Sequence, residues 1–597
     1  MTTPFLNISN SLGGSRWVSQ PVSDLDVTRM MQHHGLPEII ARLLVSRQIA
    51  PEKTIEFLNP TLQDHFPNPF SMKNMDEAAE TLVKAIIDKK PMMIFGDFDV
   101  DGATSSAILH RFFKMTGLTL PIHIPDRLNE GYGPNIPALA QFKADGIELV
   151  IMADCGTGAP EVIEAGRNMG LDIIILDHHE AAAENLPPAT HLVNPKQPEC
   201  KSGLDMLAAC GVCFLLCVAV NTKLKEHGYY EQHNISTPDL KSFLDLVALG
   251  TVCDMVPLIG ANRLFVKKGM HILNQRQNPG IKALCETGNV KDEITLMHLG
   301  FTLGPRINAG SRVHNSSLGA KLLSTESERE AMDLAWALHD CNEKRKSIQK
   351  DMMKEAENRI LALSLKEDPI LIVDLPDGHA GLAGIVAGRL KDKYKRPACV
   401  ITYAQTDTGI EGRGSGRSIQ GISMAELFQA AYEKEIILKG GGHAMAGGFS
   451  LHPDRLDDFR SFIFDYLDTM KLYVPETPDF HIDSLISVQG AQPTAIKKLE
   501  NELGPFGMGH DEPVFAFGNV QIFNSRIVGN GHVSCQIGDQ EGGARIKAIA
   551  FNQAEEPLGQ AILNGNAPFH LAGNLKIDSW QGRENASLHI KDGAQTT

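Results

Sequence analysis

Three apolar runs of strand length in this chain each end in acidic or imidazole side chains. Met92–Phe95 runs into Asp97, Asp99 and Asp101, Leu149–Met152 into Asp154, and Ile173–Leu176 into Asp177, His178 and His179. Helical patterns follow the first two, at Ala103–Met115 and Glu161–Asn168. Strand–helix alternation predicts a parallel sheet with helices on its faces. Open sheets of that kind bind ligands outside the carboxyl ends of their strands. The polar groups are therefore expected at one sheet edge. Asp254, in TVCDMVPL behind an apolar helix, is a fourth contributor.

So many carboxylates need compensation, because like charges ~4 Å apart repel by several kcal/mol at the effective dielectric of a protein site. Divalent cations are the simplest counterweight. Oxygen donors with one or two imidazoles suit Mn²⁺ or Mg²⁺ better than zinc. Two such ions ~3.5–4 Å apart could hold a hydroxide and clamp phosphoryl oxygens during in-line displacement. DFDVDG also matches the start of an EF-hand loop, but the twelfth position is Ile108 and an apolar run precedes it instead of a helix. Cys210, Cys213 and Cys217 lie in LAACGVCFLLCVAV. With no second CxxC to complete four zinc ligands, that segment reads as a buried helix. A lone Asp after a strand is commonly a cap. The ordered set is what is specific.

A length of 597 residues implies two to four domains. Residues 1–75 read as a helical lead-in punctuated by Pro51 and Pro60, and 76–325 as the first α/β domain. The stretch 326–365 has no Gly or Pro and predicts a connecting helix, continuous or as two in series. Residues 366–474 form a second α/β unit that starts at the strand Ile370–Val373. From 475 to 597, Gly-rich turns alternate with β-like runs such as VQIFNSRIV and RIKAIAF, which suggests a small β-barrel with a helix near Ala495–Leu503. The net charge of −16 argues against a surface coated with nucleic acid but permits a local basic channel. The N-terminus shows no signal-peptide pattern, and the longest apolar run, Leu207–Val220, is shorter than the ~18 residues that span a bilayer. A soluble cytoplasmic protein without membrane contact or disulfides is expected.

Phosphate recognition has its own candidates. GRGSGRS at 412–418 sets Arg413, Ser415 and Arg417 among three glycines. Glycine lets backbone approach an anion, and guanidinium binds phosphate in bidentate fashion. The bland alternative is a tight turn with an exposed arginine pair. His443 sits in a similar setting, GGGHAMAGG, where a structural glycine bend is the alternative. Tyr132, in EGYGPN, is either a base-stacking side chain or an ordinary loop tyrosine.

DFDVDG, ADCG, LDHHE and TVCDMVPL, in that order, resemble the four motifs of the DHH phosphoesterases, and GDFDVDGATSSA is similar to the RecJ branch. RLNEGYGPN (127–135), LGPRINAG (303–310), GRGSGRS, GGGHAMAGGFS (440–450) and GPFGMGHDEPVF (504–515) extend the resemblance over about residues 20–590. NAGSRV at 308–313 and GHDEP at 509–513 depart from the commoner NAAGRM-like and GNPEP patterns.

The resemblance implies that Asp99, Asp101, Asp154, His178 and Asp254 ligate two metals, Asp154 bridging. Asp97 would be a further ligand or a base behind them, and Asp177 would orient an imidazole. In an extended segment the rings of His178 and His179 should point to opposite sides, leaving His179 to touch substrate or support the sheet. Arg127 and the GRGSGRS loop would hold a 5′-phosphate, Arg306 and Asn308 the scissile phosphate, and His443 the substrate. The barrel would be an OB-fold, although Lys497, Lys498, Arg526, Arg545 and Lys547 are too dispersed to mark a nucleic-acid face. The implied activity is a single-stranded-DNA-specific 5′→3′ exonuclease of DNA repair and recombination that releases 5′-mononucleotides. The strand would enter a narrow cleft between the two α/β domains. A helicase and a single-strand-binding protein are the implied partners, and a monomer the implied state. The alternative is a DHH hydrolase of pyrophosphate, nanoRNA or cyclic dinucleotides, which usually lacks a C-terminal β-domain. A non-catalytic scaffold would have lost ligand positions, and all are filled here.

Overall fold

The computed structural model describes residues 3–127, 130–406, 409–472, 477–539, 543–565, 567–580 and 583–596. The chain divides into two compact units.

The larger unit spans Asn68–Asp254 and Lys268–Val474. After helix α1 (Met75–Ile87) comes strand β1 (Met92–Gly96), followed by α2 (Val100–Met115), β2 (Ile122–His123), α3 (Ile136–Ala144), β3 (Leu149–Ala153), α4 (Pro160–Asn168), β4 (Asp172–Leu176) and β5 (His191–Val193). The strands pair in the order β2-β1-β3-β4-β5, all parallel. All five residues of β3 are buried, as expected where helices cover both faces of a parallel sheet. Helix α5 (Ala209–Glu226) holds Cys210, Cys213 and Cys217, all buried, and the ten cysteines are free thiols. Helix α6 (Leu244–Cys253) ends at Asp254, and α7 (Gly304–Val313) packs against α8 (Glu328–Ala362). The Gly- and Pro-free stretch is thus one continuous helix.

Beyond α8 the second α/β domain contains β6 (Leu371–Leu375), α9 (Ala383–Tyr394), β7 (Ala398–Thr406), β8 (Gly409–Arg417), β9 (Lys439–His443) and β10 (Ala446–Leu451). The sheet order is β9-β10-β8-β7-β6, and only β6–β7 is parallel. Helix α9 packs on β7, β8 and α8. The GRGSGRS segment is therefore the end of a mid-sheet strand, not a loop. Its glycines serve packing: a Cβ on Gly414 would lie 2.2 Å from the Phe449 ring, and one on Gly416 2.7 Å from Met424 and Phe428. Arg413, Ser415 and Arg417 alternate with them and share the opposite face.

The smaller unit combines Met1–Pro67, Met255–Lys267 and Pro475–Thr597. Five strands, Phe515–Val528, His532–Gly538, Arg545–Ala550, Arg583–Gln595 and Phe569–Trp580, pair in that order, and the last pairs with the first to close a barrel. The helix expected near Ala495–Leu503 runs Pro493–Leu503. The N-terminal segment is part of this unit and does not stand apart as a helical lead-in. Arg16–Ser19 is a strand paired in parallel with Asp479–Ile482, and Val27, Met30, Leu43 and Leu44 share a core with Leu503 and Phe517. The fully buried Trp17 donates its indole N–H to Asp592 Oδ2 at 2.8 Å. Among the described residues, no helix is long and apolar enough to cross a membrane.

Candidate metal centre and substrate-binding residues

The carboxyl ends of β1, β3 and β4 lie side by side, because Gly96 pairs with Ala153 and Ala153 with Leu176. Asp97, Asp154 and Asp177 follow directly. Asp99 caps α2, accepting the N–H groups of Asp101 and Gly102 at 2.9 and 3.1 Å. Gly102 is required there, since a Cβ would fall 2.3 Å from the Asp97 carbonyl. Asp154 takes a left-handed conformation, φ 65°, directly after β3. Such a conformation is uncommon for a residue other than glycine, and Asp and Asn tolerate it best. Here it turns the carboxylate toward the other acids.

His178 Nε2 lies 3.5 Å from Asp154 Oδ1, 3.5 Å from Asp254 Oδ2 and 3.9 Å from Asp101 Oδ2, and His179 Nδ1 lies 4.0 Å from Asp154 Oδ1. Both imidazoles thus face Asp154, contrary to the opposite-side expectation. The strand ends at Leu176, so strand alternation no longer applies. Asp177 Oδ1 accepts the backbone N–H of His178 at 2.8 Å and of His179 at 3.3 Å, which bends the chain into a turn. Asp177 also pairs with His179 Nδ1 at 2.7 Å and accepts Thr157 N–H at 3.0 Å, so the imidazole it orients is that of His179.

The electrostatics call for a cation. Burial, then the like charge of neighbouring carboxylates, pushes Asp97 and Asp154 well above the ordinary range, Asp254 to about 9 and Asp101 to about 6. Burial and the neighbouring His179 lower His178 to about 4, leaving a neutral imidazole with a free lone pair. Burial opposes the charge on His179, but its bond to Asp177 prevails and raises it to about 9. Asp97 Oδ1, Asp154 Oδ1 and Asp254 Oδ2 are buried without a hydrogen-bond partner among the described residues. Three overlapping sets, Asp97/Asp99/Asp154, Asp101/His178/Asp254 and Asp154/His178/His179, each bring their ligand atoms within 4.8 Å of one another. The sets are linked through Asp154 and His178, and together their five carboxylates and two imidazoles fit Mn²⁺ or Mg²⁺.

The other predicted residues are distributed around this centre. Tyr132 Oη is 3.2 Å from His179 Nε2, and the His179 ring stacks near that of His443 at 6.4 Å and 16°. His443 ends β9 at the tip of the β9–β10 hairpin. The Arg127 guanidinium lies 4.6 Å over the ring of Phe98, which also meets Tyr132 edge to face. Arg417 crosses α9 at Gly384, where a Cβ would stand 2.7 Å from Nη2, and Arg413 is exposed. Arg306 is tied to neighbouring carbonyls. It is buried and donates to Thr302 O at 2.7 Å and Thr287 O at 3.5 Å, with His339 Nδ1 at 3.5 Å. Those contacts brace α7, while its Nε is buried without a partner among the described residues. Asn308 Oδ1 is buried without a partner among the described residues.

Sequence reasoning missed Phe98, hidden between the two aspartates it separates. It also missed Asn194, whose amide donates to His179 O at 2.8 Å, and the backbone N–H groups of Ala209 and Cys210, which bond both oxygens of Asp101. Backbone donors carry no side-chain signal.

Residues 91–251 match the DHH family, N-terminal domain, 367–469 the DHHA1 domain and 482–592 the RecJ OB domain. The chain is 33% identical over 573 residues to the single-stranded-DNA-specific exonuclease RecJ of Escherichia coli (strain K12), covering 93% of this chain and 95% of that protein. It is 34% identical over 586 residues to the Haemophilus influenzae enzyme of the same name, covering 95% and 97%. The crystal structure of RecJ in complex with Mn²⁺ from Thermus thermophilus superposes with a TM-score of 0.79 at 25% identity, over 97% of this chain and 79% of that one. With its domain series matched in order and a full-length likeness to these enzymes, the chain belongs to the RecJ family of DHH proteins.

Proposed function

We propose that the protein is a metal-dependent, single-stranded-DNA-specific exonuclease that works from the 5′ end and releases 5′-mononucleotides. The observation that carries this reading is the convergence of four further aspartates and two histidines around Asp154, with three buried carboxylate oxygens left without partners among the described residues. Asp97, Asp99, Asp101, Asp154, His178 and Asp254 would hold two Mn²⁺ or Mg²⁺ ions. When bound, such ions lower the pKa of a coordinated water and neutralise charge on the phosphoryl oxygens.

The chain's own residues then have separate tasks. Asp177 locks His179, whose protonated ring faces the place where the scissile phosphate would lie. Arg127, held over Phe98, and Arg417, held over α9, would present guanidinium groups to a terminal 5′-phosphate, with Ser415 on the same strand face as Arg417. Fixing that phosphate a set distance from the carboxylates places one linkage in reach and sets the polarity as 5′→3′. Tyr132, 61% exposed, offers a stacking surface for the terminal base.

Selection for single strands follows from the approach of the two α/β domains. The His179 ring of one and the His443 ring of the other stack with centroids 6.4 Å apart, so the two domains meet beside the carboxylates. An enzyme so restricted needs a helicase to open duplex DNA and works on strands that a single-strand-binding protein keeps unpaired. It acts as a monomer in repair and recombination.

The test uses one single-stranded DNA labelled at either end in parallel reactions with Mn²⁺. Mononucleotides appearing first from the 5′ end, lost with EDTA and in Asp154→Ala, are the expected result. No cleavage by folded, metal-loaded protein rejects the reading and directs the assay to short oligoribonucleotides, pyrophosphate and cyclic dinucleotides.

A further inference from the structure

Helix α6 ends at Asp254, and Met255 follows in a left-handed conformation, φ 60°. Glycine or asparagine is usual at that position after a helix. Among the described residues, the other non-glycine residues with left-handed backbone are polar, Leu6 excepted, and Leu6 packs against the Trp17 cluster. Met255 is 69% exposed. The helix end accounts for its backbone. It does not account for an apolar side chain held out in water.

The loop that begins at Met255 interlocks with a second one, from GPFGMGHDEPVF, inside the smaller unit. Leu258 donates its backbone N–H to Met508 O at 2.8 Å. A Cβ on Gly509 would lie 3.0 Å from Pro257, and one on Gly507 2.6 Å from Leu258, so glycine on either side of Met508 is what lets the loops meet. Gly507 and His510 exchange backbone hydrogen bonds at 2.9 and 3.0 Å, which sets Met508 and Gly509 at the corner of a tight turn. Gly509 supplies the positive φ, 68°, that such a turn needs at its third residue. The base beneath is fixed. Buried Arg263 donates to the carbonyls of Leu503 and Gly504 at 2.8 Å each and of Phe57 at 2.7 Å, and Asn262 donates to Pro257 O at 3.0 Å. On this base Met508 is 55% exposed and Ile259 40%.

Exposed apolar side chains on two interlocked loops thus begin one residue beyond a carboxylate of the candidate metal centre. Consecutive Cα atoms lie ~3.8 Å apart, so Met255 borders whatever Asp254 holds. Thioether side chains are soft and adaptable, and they pack on aromatic rings without requiring one hydrogen-bond pattern. That suits bases whose identity must not matter, as in sequence-tolerant binding of a single strand. We propose that Met255 and Met508 form an apolar rest for the first bases on the 3′ side of the cut. This rests on the reading of Asp254 as part of the metal centre of a single-strand exonuclease. Tyr132 then serves the base that is released, and the methionines serve the bases that stay and advance after each cut.

The experiment removes one base at a time. Single strands of one sequence carry an abasic residue at the second, third or fourth nucleotide, or far downstream, and KM and kcat are measured for release of the labelled first nucleotide with Mn²⁺. The proteins are wild type, Met255→Asn, which keeps a residue that tolerates left-handed backbone, Met508→Ser and the conservative Met508→Leu. On the intact strand both polar variants are expected to raise KM about fivefold with kcat within about twofold, and Met508→Leu to match wild type. An abasic residue at the second or third nucleotide should cost wild type a similar factor and cost the polar variants nothing further, because base and methionine report one contact. The far downstream abasic residue should change nothing. Effects of base removal and of methionine substitution that multiply independently at every position overturn the proposal, as does an unchanged KM in both polar variants. Should a variant fail to fold, the wild-type scan decides alone: no rise in KM at the second or third nucleotide overturns it. If metal-loaded wild type releases no nucleotide from the intact strand, the exonuclease reading itself fails.

Discussion

Ala209 donates its backbone N–H to Asp101 Oδ2 at 2.7 Å, and the next residue, Cys210, donates to Oδ1 at 2.9 Å, so the N-terminus of α5 grips both oxygens of one carboxylate. The helix dipole favours that negative charge. On the proposed reading Asp101 would meet a metal with its position already set, as a ligand supported from behind should be.

Ala209 is the first residue of α5, where proline is tolerated, and Ala208 before it already has φ −76° and ψ 163°. Ala209→Pro removes this one donor. We expect the Mn²⁺ concentration for half-maximal activity to rise about tenfold. Titration calorimetry with Mn²⁺, alongside metal-free thermal unfolding, checks this; unchanged affinity in a folded variant rejects the role.

Asp154→Asn keeps a residue that tolerates the left-handed backbone and removes the central charge. Cleavage should fall at least about a thousandfold, as expected if Asp154 is a ligand of the proposed metal centre. The metal-free protein should gain on the order of 1 kcal/mol, because a buried carboxylate repelled by its neighbours is gone. Asp154→Ala should be inactive without that gain, since alanine strains at this φ by about 1 kcal/mol. Calorimetry without metal separates the two variants.

Tyr132 reaches His179 with its hydroxyl, and on the proposed reading its exposed ring would stack on a base. Tyr132→Phe should keep KM within about twofold, whereas Tyr132→Ala should raise it by the equivalent of ~1–3 kcal/mol of stacking. Equal KM for the alanine variant would assign the ring no contact with substrate.

In the smaller unit His510 is buried against Arg47 and Arg263. Its Nε2–H donates to Leu503 O at 2.7 Å, leaving Nδ1 to accept from Arg47 Nη1 at 3.2 Å. That network requires the neutral ring, and burial with the two arginines lowers its pKa to about 3. Between about pH 6.5 and 3 the unfolded chain binds a proton that the folded chain refuses, so stability falls as pH drops through that window, by at most ~1.4 kcal/mol per unit. Hydrogen exchange of the barrel strands at about pH 7 and about pH 5, on either side of the ordinary histidine value, measures it. His510→Asn, the residue of the commoner GNPEP pattern, should flatten the dependence.

Much of this molecule was legible in its sequence. Strand-length apolar runs ending in Asp97, Asp154 and Asp177 placed the polar groups at one sheet edge, because a parallel sheet aligns the ends of its strands. The absence of Gly and Pro from 326 to 365 indicated α8. Acid crowding demanded a cation whatever the details of the fold. These are local properties of periodicity and charge, and they survive translation into a fold.

What only the tertiary structure decided depends on groups far apart in sequence or on backbone direction. The turn at Asp177 brought both imidazoles onto Asp154, where strand alternation would have parted them. GRGSGRS became a strand because Phe449 and Phe428, distant in sequence, press on its glycines. Arg306 was taken up by the carbonyls of Thr287 and Thr302. The N-terminal segment joined the barrel because its apolar faces are buried in the barrel's core.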